Sequence, residues 1–205
     1  RILTYQAEGK CGVRIRFGES IGEACAELGE KGASNDHSLR DFEVDLERYS
    51  DMQFGQTAYR FIRLDMLSGT SLMIKKILGT FEYFDAPVQG SFHCNDERLN
   101  RIFDTAAYTL KLCVQNGMVW DGVKRDRLVW IGDMHPETLG LLCLYGAQDC
   151  IKNSLRFIRE QTPLPAFMNG MPSYSLWWIA ILCDYYRYTG DEAFLRENSA
   201  YLSAL

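Results

Sequence analysis

The hydrophobic pattern of this chain changes period once, near residue 85, and that change restricts the fold more than any other feature. Up to about Phe84 apolar residues alternate with polar ones, as they do in half-buried strands. Val13 to Phe17 alternates apolar side chains with Arg, Ala58 to Met66 alternates again with aromatics, and Ser71 to Tyr83 is rich in β-branched and aromatic residues. Gly-Thr, Ser-Gly-Thr and Gly-Gln clusters punctuate the runs as turns. An all-β sandwich fits this half, with Ile21 to Leu39 as a loop-rich excursion and the Glu43 to Arg48 charge alternation as a solvated face. The segment Asp85-Ala-Pro-Val-Gln-Gly-Ser91 reads as a linker.

From Asn95 the period becomes helical. Leu99, Ile102, Phe103, Ala106, Leu110 and Cys113 recur at three and four residues and predict one apolar stripe, with Asn95 or Asp96 as N-cap. Further helices are predicted from about Pro136 to Gln148, Asp149 to Glu160 and Ser173 to Tyr188, the last stopped by Gly190, and a fifth begins near Asp191. Pro136 suits a first turn, where its missing N–H costs nothing. The chain thus reads as β plus α in two parts: 1–85 as a β-sandwich module, 86–92 as linker and 93–205 as a helical domain.

Between the first two helices lies Asp121-Gly-Val-Lys-Arg-Asp-Arg-Leu-Val-Trp-Ile-Gly-Asp133, with three carboxylates, three cations and a tryptophan in thirteen positions. On composition alone a charged loop before a helix is the commoner explanation. The same residues also suit glycoside hydrolysis, in which a carboxyl protonates the leaving oxygen, other acids and cations hold hydroxyls, and an indole covers the sugar ring.

The order of residues favours the second reading. Arg-Asp-Arg-x-x-Trp-x-Gly-Asp resembles the active-site loop of the bacterial α-L-rhamnosidases, in the six-hairpin glycosidase group, where the loop reads Asp-Cys-Pro-x-Arg-Asp-Glu-Arg-x-x-Trp-x-Gly-Asp and its Glu is the general acid. Aligned on Trp130, Gly132 and Asp133, the resemblance puts Asp126 at the acid and Arg127 at the following Arg. Asp121 then matches the leading hydroxyl-binding Asp, Trp130 the ring-stacking indole and Asp133 the second hydroxyl-binding Asp, with Arg125 in the same loop. This chain departs in a loop shorter by one residue, in Asp for Glu at the acid, and in Gly-Val for Cys-Pro. The Phe61-Ile-Arg63 strand and the Gly90-Ser-Phe92 entry to the first helix extend the resemblance over most of the chain.

What the resemblance implies is the opening part of an (α/α)6 barrel after the sandwich, inverting hydrolysis of terminal α-L-rhamnosides, and no metal or organic cofactor. It also places the general base on a later helical loop, so that the chain reads as an interior fragment that is inactive alone. Trp177 lies where rhamnosidases often place another pocket aromatic, while Trp178, followed by apolar residues, reads as core. Two other functions compete: a six-hairpin glycosidase with another sugar specificity, and a carbohydrate-binding protein without catalysis. Glu137 is a rival acid whose expected place in the first turn of a helix suits dipole compensation instead. His135 either binds a hydroxyl or flanks the helix start. Arg125 and Arg127 oppose protonation of Asp126 if they face it, and burial against Trp130 near Asp121 or Asp133 is expected to outweigh them.

Other classes fit less well. A net charge of -5 without a Lys/Arg block disfavours nucleic acid or an anionic membrane as partner. No apolar run reaches the roughly 18 residues of a membrane span, and no signal pattern follows Arg1. Seven scattered cysteines, an odd number, indicate neither a disulfide framework nor a zinc site and favour a reducing compartment. His37, His93 and His135 are far apart in sequence. The partner this leaves is a rhamnose-containing glycoside or polysaccharide, with oligomeric state and compartment open.

Overall fold

The computed structural model describes residues 1–5, 10–32 and 39–205; His37 and part of the Ile21 to Leu39 excursion lie outside the described residues. The architecture is mixed β and α, in two compact units: Arg1–Phe81 with Val123–Asp126, and Glu82–Gly122 with Arg127–Leu205.

Among its described residues the first unit holds six strands, β1 (Ile2–Tyr5), β2 (Cys11–Gly18), β3 (Asp41–Leu46), β4 (Tyr49–Met52), β5 (Phe61–Met66) and β6 (Met73–Ile77), and the short helix α1 (Ile21–Cys25). They form two antiparallel three-stranded sheets, ordered β4-β1-β6 and β3-β2-β5. Alternation along β2 explains the second. Val13, Ile15 and Phe17 are buried in a cluster with Ile2, Cys11 and Leu46, joined by Met52 and Ile74, so both sheets feed one core. Arg14 and Arg16 point the other way into ion pairs: Arg14 binds Asp41 through two nitrogens at 2.8 and 2.6 Å, and Arg16 reaches Asp65 at 2.9 Å.

Three expectations change here. The charge alternation of Glu43 to Arg48 is not merely a solvated face, because Phe42 and Val44 pack on the core, Leu46 is fully buried, and the segment pairs with β2 as far as Leu46. The strand expected over Ser71 to Tyr83 is confined to β6, Met73–Ile77, with Leu78 N still donating to Arg1 O at 2.9 Å just past its end. Inside the excursion α1 forms on a Ser20 cap whose hydroxyl accepts from Glu23 N.

The second unit contains α2 (Glu97–Cys113), a hairpin of β7 (Val114–Gln115) and β8 (Met118–Val119), then α3 (Ile131–Tyr145), α4 (Asp149–Gln161), a 3-10 turn over Met168–Gly170, α5 (Pro172–Thr189) and α6 (Glu192–Ala204). The hairpin turns on Asn116-Gly117, both at positive φ (53° and 73°), a dipeptide that is the strongest short hairpin signal. Trp178 lies fully buried at the centre, its Nε1 donating to Leu155 O at 3.1 Å, among Ile131, Met134, Leu141, Ile151 and Ile181.

The stripe predicted on α2 is rotated. Phe103, Ala107 and Leu110 pack inward and Cys113 is buried, but Leu99 and Ile102 are 47% and 55% exposed. Asn100 takes the inward place instead, donating to Cys94 O and accepting from Cys94 N, both at 2.9 Å. Asp96 is the N-cap, accepting from Arg98 N at 2.8 Å.

Helix α3 departs furthest from expectation. It begins at Ile131, five residues before Pro136, which lies inside it, and it ends at Tyr145. Asn169 of the 3-10 turn supplies the cap: its side-chain oxygen accepts from Ile131 N at 3.2 Å and its nitrogen donates to Val129 O at 3.1 Å. A partner 38 residues away satisfies the first orphan N–H, so no local cap residue marks the start.

Candidate functional site

The 121–133 run forms the passage from β8 to α3, and its residues divide between the two units. In the second unit Asp121 folds the run back on itself. Its N–H donates to Leu128 O at 3.0 Å while its carboxylate Oδ1 accepts from Leu128 N at 2.8 Å, which closes a loop over 121–128. Trp130 N then donates to Leu128 O at 3.1 Å, and Met134 N to Trp130 O starts the helix. Arg127 holds φ of 53°, a left-handed conformation that costs a non-glycine residue about 1 kcal/mol or more.

Trp130 meets the Tyr174 ring edge-on, with centroids 6.1 Å apart and planes at 90°. Its indole Nε1 is buried and has no hydrogen-bond acceptor among the described residues. Gly132 is required by the same packing, because a Cβ there would lie 2.6 Å from Cζ of Tyr174. Asp133, in the first turn of α3, is exposed, as suits a carboxylate near the positive end of a helix.

Residues Val123 to Asp126 belong to the first unit. Val123 O accepts from Ala58 N at 3.0 Å, and the Lys124 ammonium contacts Glu19 at 2.9 Å and Glu23 at 2.8 Å. Arg125 faces Asp126, with Nε to Oδ1 at 3.1 Å and Nη2 to Oδ2 at 2.9 Å. Of the two cations that flank it in sequence, Arg125 thus does face the Asp126 carboxylate, in a charge-assisted two-nitrogen fork.

One face of α3 collects further acid. Glu137 stands one turn after Asp133, not in the first turn as expected, because α3 starts early. Burial pushes its carboxyl up to about 8, the Asp133 charge adds to this, a hydrogen bond with the Cys113 thiol pulls the other way, and Asp121 contributes less. Its Oε2 is buried without a hydrogen-bond partner. The Cys113 thiol is in turn pushed up to about 12, by burial first and then by Glu137. The expectation of a dipole-compensating surface acid fails for Glu137. Nothing in the local pattern separated it from Asp133.

Beside this face, the His135 ring stacks on Trp177 with centroids 4.6 Å apart and planes at 34°, and His135 Nε2 is 3.3 Å from Asp184 Oδ2. Trp177 is 42% exposed, unlike its buried neighbour Trp178. A stacked, half-exposed indole supplies a flat apolar surface of the kind pyranose rings cover. His93 does not join His135, and among the described residues no group of three or more His, Cys, Asp or Glu is placed to hold a metal ion. No helix among the described residues is long and apolar enough to cross a membrane.

With this geometry in hand, the comparisons agree with one another. The family model described as the bacterial alpha-L-rhamnosidase 6 hairpin glycosidase domain matches residues 87–204. Among solved structures, a rhamnosidase from Klebsiella oxytoca with rhamnose bound superposes with a TM-score of 0.74 at 19% identity, over 99% of this chain and 44% of that one. The GH78 family rhamnosidase of Bacillus sp. GL1 superposes with a TM-score of 0.70 at 18% identity, over 96% of this chain and 21% of that one. The chain therefore spans less than half the length of either. No protein of curated function matches it by sequence.

Proposed function

Because the chain belongs to the bacterial α-L-rhamnosidase six-hairpin glycosidase family, we propose that it forms part of a glycoside hydrolase that removes terminal α-L-rhamnose with inversion. One observation carries the proposal: the Arg125-Asp-Arg-x-x-Trp-x-Gly-Asp133 run lies inside the matched stretch and leads into α3. In architectural terms, the proposal is a sandwich from the two sheets, residues 86–92 as linker, and helices α2 to α6 as the opening part of an (α/α)6 barrel.

Asp126 is the general acid. It protonates the glycosidic oxygen as positive charge develops at C1, and a water activated by a second carboxylate attacks the opposite face. Substrate entry opens the Arg125 fork, Arg125 turns to a sugar hydroxyl, and Asp126 takes up the proton it will donate. Arg127, Asp121 and Asp133 hold hydroxyls, Trp130 covers the ring, and Trp177, braced by His135, extends the apolar surface. The reaction as written needs no metal or organic cofactor. The partner is a rhamnose-containing glycoside or polysaccharide, with no role for nucleic acid or membrane. The base belongs to a part of the enzyme outside these 205 residues.

The test is rhamnose release from a panel of aryl glycosides by the full-length protein, followed by NMR, which reports the anomer first formed. Release of the β-anomer from α-L-rhamnosides supports the proposal. Cleavage of another glycoside in preference, or binding of rhamnose without turnover, replaces it with one of the two competing functions. Within the same reaction, Glu137 is the second candidate for the acid, favoured by the burial that keeps it protonated near neutral pH.

A further inference from the structure

The segment that carries Asp126 is tied to the rest of the strand unit at two consecutive residues. Val123 O accepts from Ala58 N and Lys124 binds two glutamates, while within the segment Arg125 grips Asp126. The Lys124 clamp is the best built. The ammonium's side chain is 14% exposed, and Glu23, on α1, is 5% exposed. Glu23 is itself fixed, since its Oε2 accepts from Glu19 N at 2.8 Å and its own N–H donates to Ser20 Oγ at 3.1 Å. Lys124 thus joins positions 101 and 105 residues away to a point two residues from the acid.

A surface lysine needs no such arrangement. A cation drawn largely out of water between two carboxylates, one of them buried, is costly unless its position matters or the pair is well made. Two residues of extended chain span at most about 7 Å, so a shift of Lys124 passes almost directly to Asp126. A general acid works only within hydrogen-bond reach of the oxygen it protonates, and a misplacement of about 1 Å can cost on the order of 100-fold in rate.

We propose that Lys124, clamped by Glu19 and Glu23, is a positioning residue that sets where the Asp126 carboxyl stands. The proposal rests on the reading of Asp126 as the general acid. Lys124 touches no substrate; the strand unit thereby takes part in catalysis through a salt bridge.

The test uses the full-length protein and two probes, methyl α-L-rhamnopyranoside, whose leaving group needs protonation, and 2,4-dinitrophenyl α-L-rhamnopyranoside, whose leaving group does not. Lys124→Met takes a cation away from the buried Glu23 carboxylate, so it is made both alone and with Glu23→Gln, which removes both charges together. In the double variant kcat on the methyl glycoside falls about 10- to 100-fold, kcat on the dinitrophenyl glycoside changes by less than about threefold, and KM stays nearly constant for both. Lys124→Arg restores most of the loss. Asp126→Asn, run alongside, separates the two readings. If Asp126→Asn shows the leaving-group contrast and the Lys124 variants lose nothing, or lose equally on both probes, the positioning role is overturned and the acid stands. If Asp126→Asn shows no contrast, both are overturned.

Discussion

Gly132 and Tyr174 interlock at the start of α3: two ring carbons and the hydroxyl oxygen of the tyrosine lie 2.6, 2.7 and 2.8 Å from the place a Cβ on residue 132 would occupy. The same ring meets Trp130 edge-on. The glycine of the Trp-x-Gly-Asp run is thus a packing requirement, and it sets the aromatic that steadies the indole.

Gly132→Ala should therefore cost about 1–3 kcal/mol through overpacking and disturb the near-ultraviolet signal of Trp130. In the full-length enzyme KM for rhamnosides rises more than kcat falls. Adding Tyr174→Leu relieves the clash and returns most of the stability. Failure of the double variant to recover stability would place the strain elsewhere.

Asp126→Asn in the full-length enzyme should lose about 100- to 10,000-fold on alkyl rhamnosides, and far less on nitrophenyl ones. Glu137→Gln should lose much less on both. The reverse ranking would transfer the acid role to Glu137, whose carboxyl is already held protonated near neutral pH.

Glu137 also predicts how stability depends on pH. Its carboxyl is raised in the folded chain from 4.5 to about 8, so between those values the folded state binds the additional proton. The contribution is fully present below about pH 4.5 and is lost as pH rises through about 8, at a slope of at most about 1.4 kcal/mol per pH unit. Glu137→Gln should flatten that part of the profile in urea titrations at pH 5, 6, 7 and 8. An unchanged slope would assign the pH dependence to another group.

The segment 86–92 is held by the second unit although it has no regular structure. Gln89 N and Gly90 N both donate to Leu144 O, at 2.7 and 3.0 Å, and a Cβ on Gly90 would meet Cys143 O at 2.0 Å. A carbonyl cannot swing aside as a side chain can, so Gly90→Ala should cost about 3 kcal/mol or more. Limited proteolysis of the wild type should cut near Gly79 before it cuts at Gly90, and the variant should reverse that order. First cuts within α2 would dismiss the two-part division.

The isolated 205-residue chain should release no rhamnose, since inversion needs two carboxylates about 6.5 to 9.5 Å apart and the proposed roles assign the acid and hydroxyl-binding groups alone to the motif. Leu99, Ile102 and Tyr108 on α2, each roughly half exposed, should also make it self-associate, as sedimentation at rising concentration would show. Sustained turnover by the short chain would place both carboxylates within it.

The change of period near residue 85, the sheet half and the helical half, and the run from Asp121 to Asp133 were all legible in the amino-acid order. Periodicity is a local property, and the run is contiguous. The environments of the functional groups were set by distant residues. Asn169 starts α3 five residues early and thereby carries Glu137 out of the first turn to a partly buried position beside Cys113. Asn100 takes an inward place on α2, and the stripe turns with it. Lys124 finds Glu19 and Glu23 more than a hundred residues away. Burial, desolvation and ion pairing depend on which parts of the chain meet. A charge between two arginines in sequence becomes a clamped carboxylate, and an ordinary glutamate a protonated one, only when the tertiary fold decides what surrounds each.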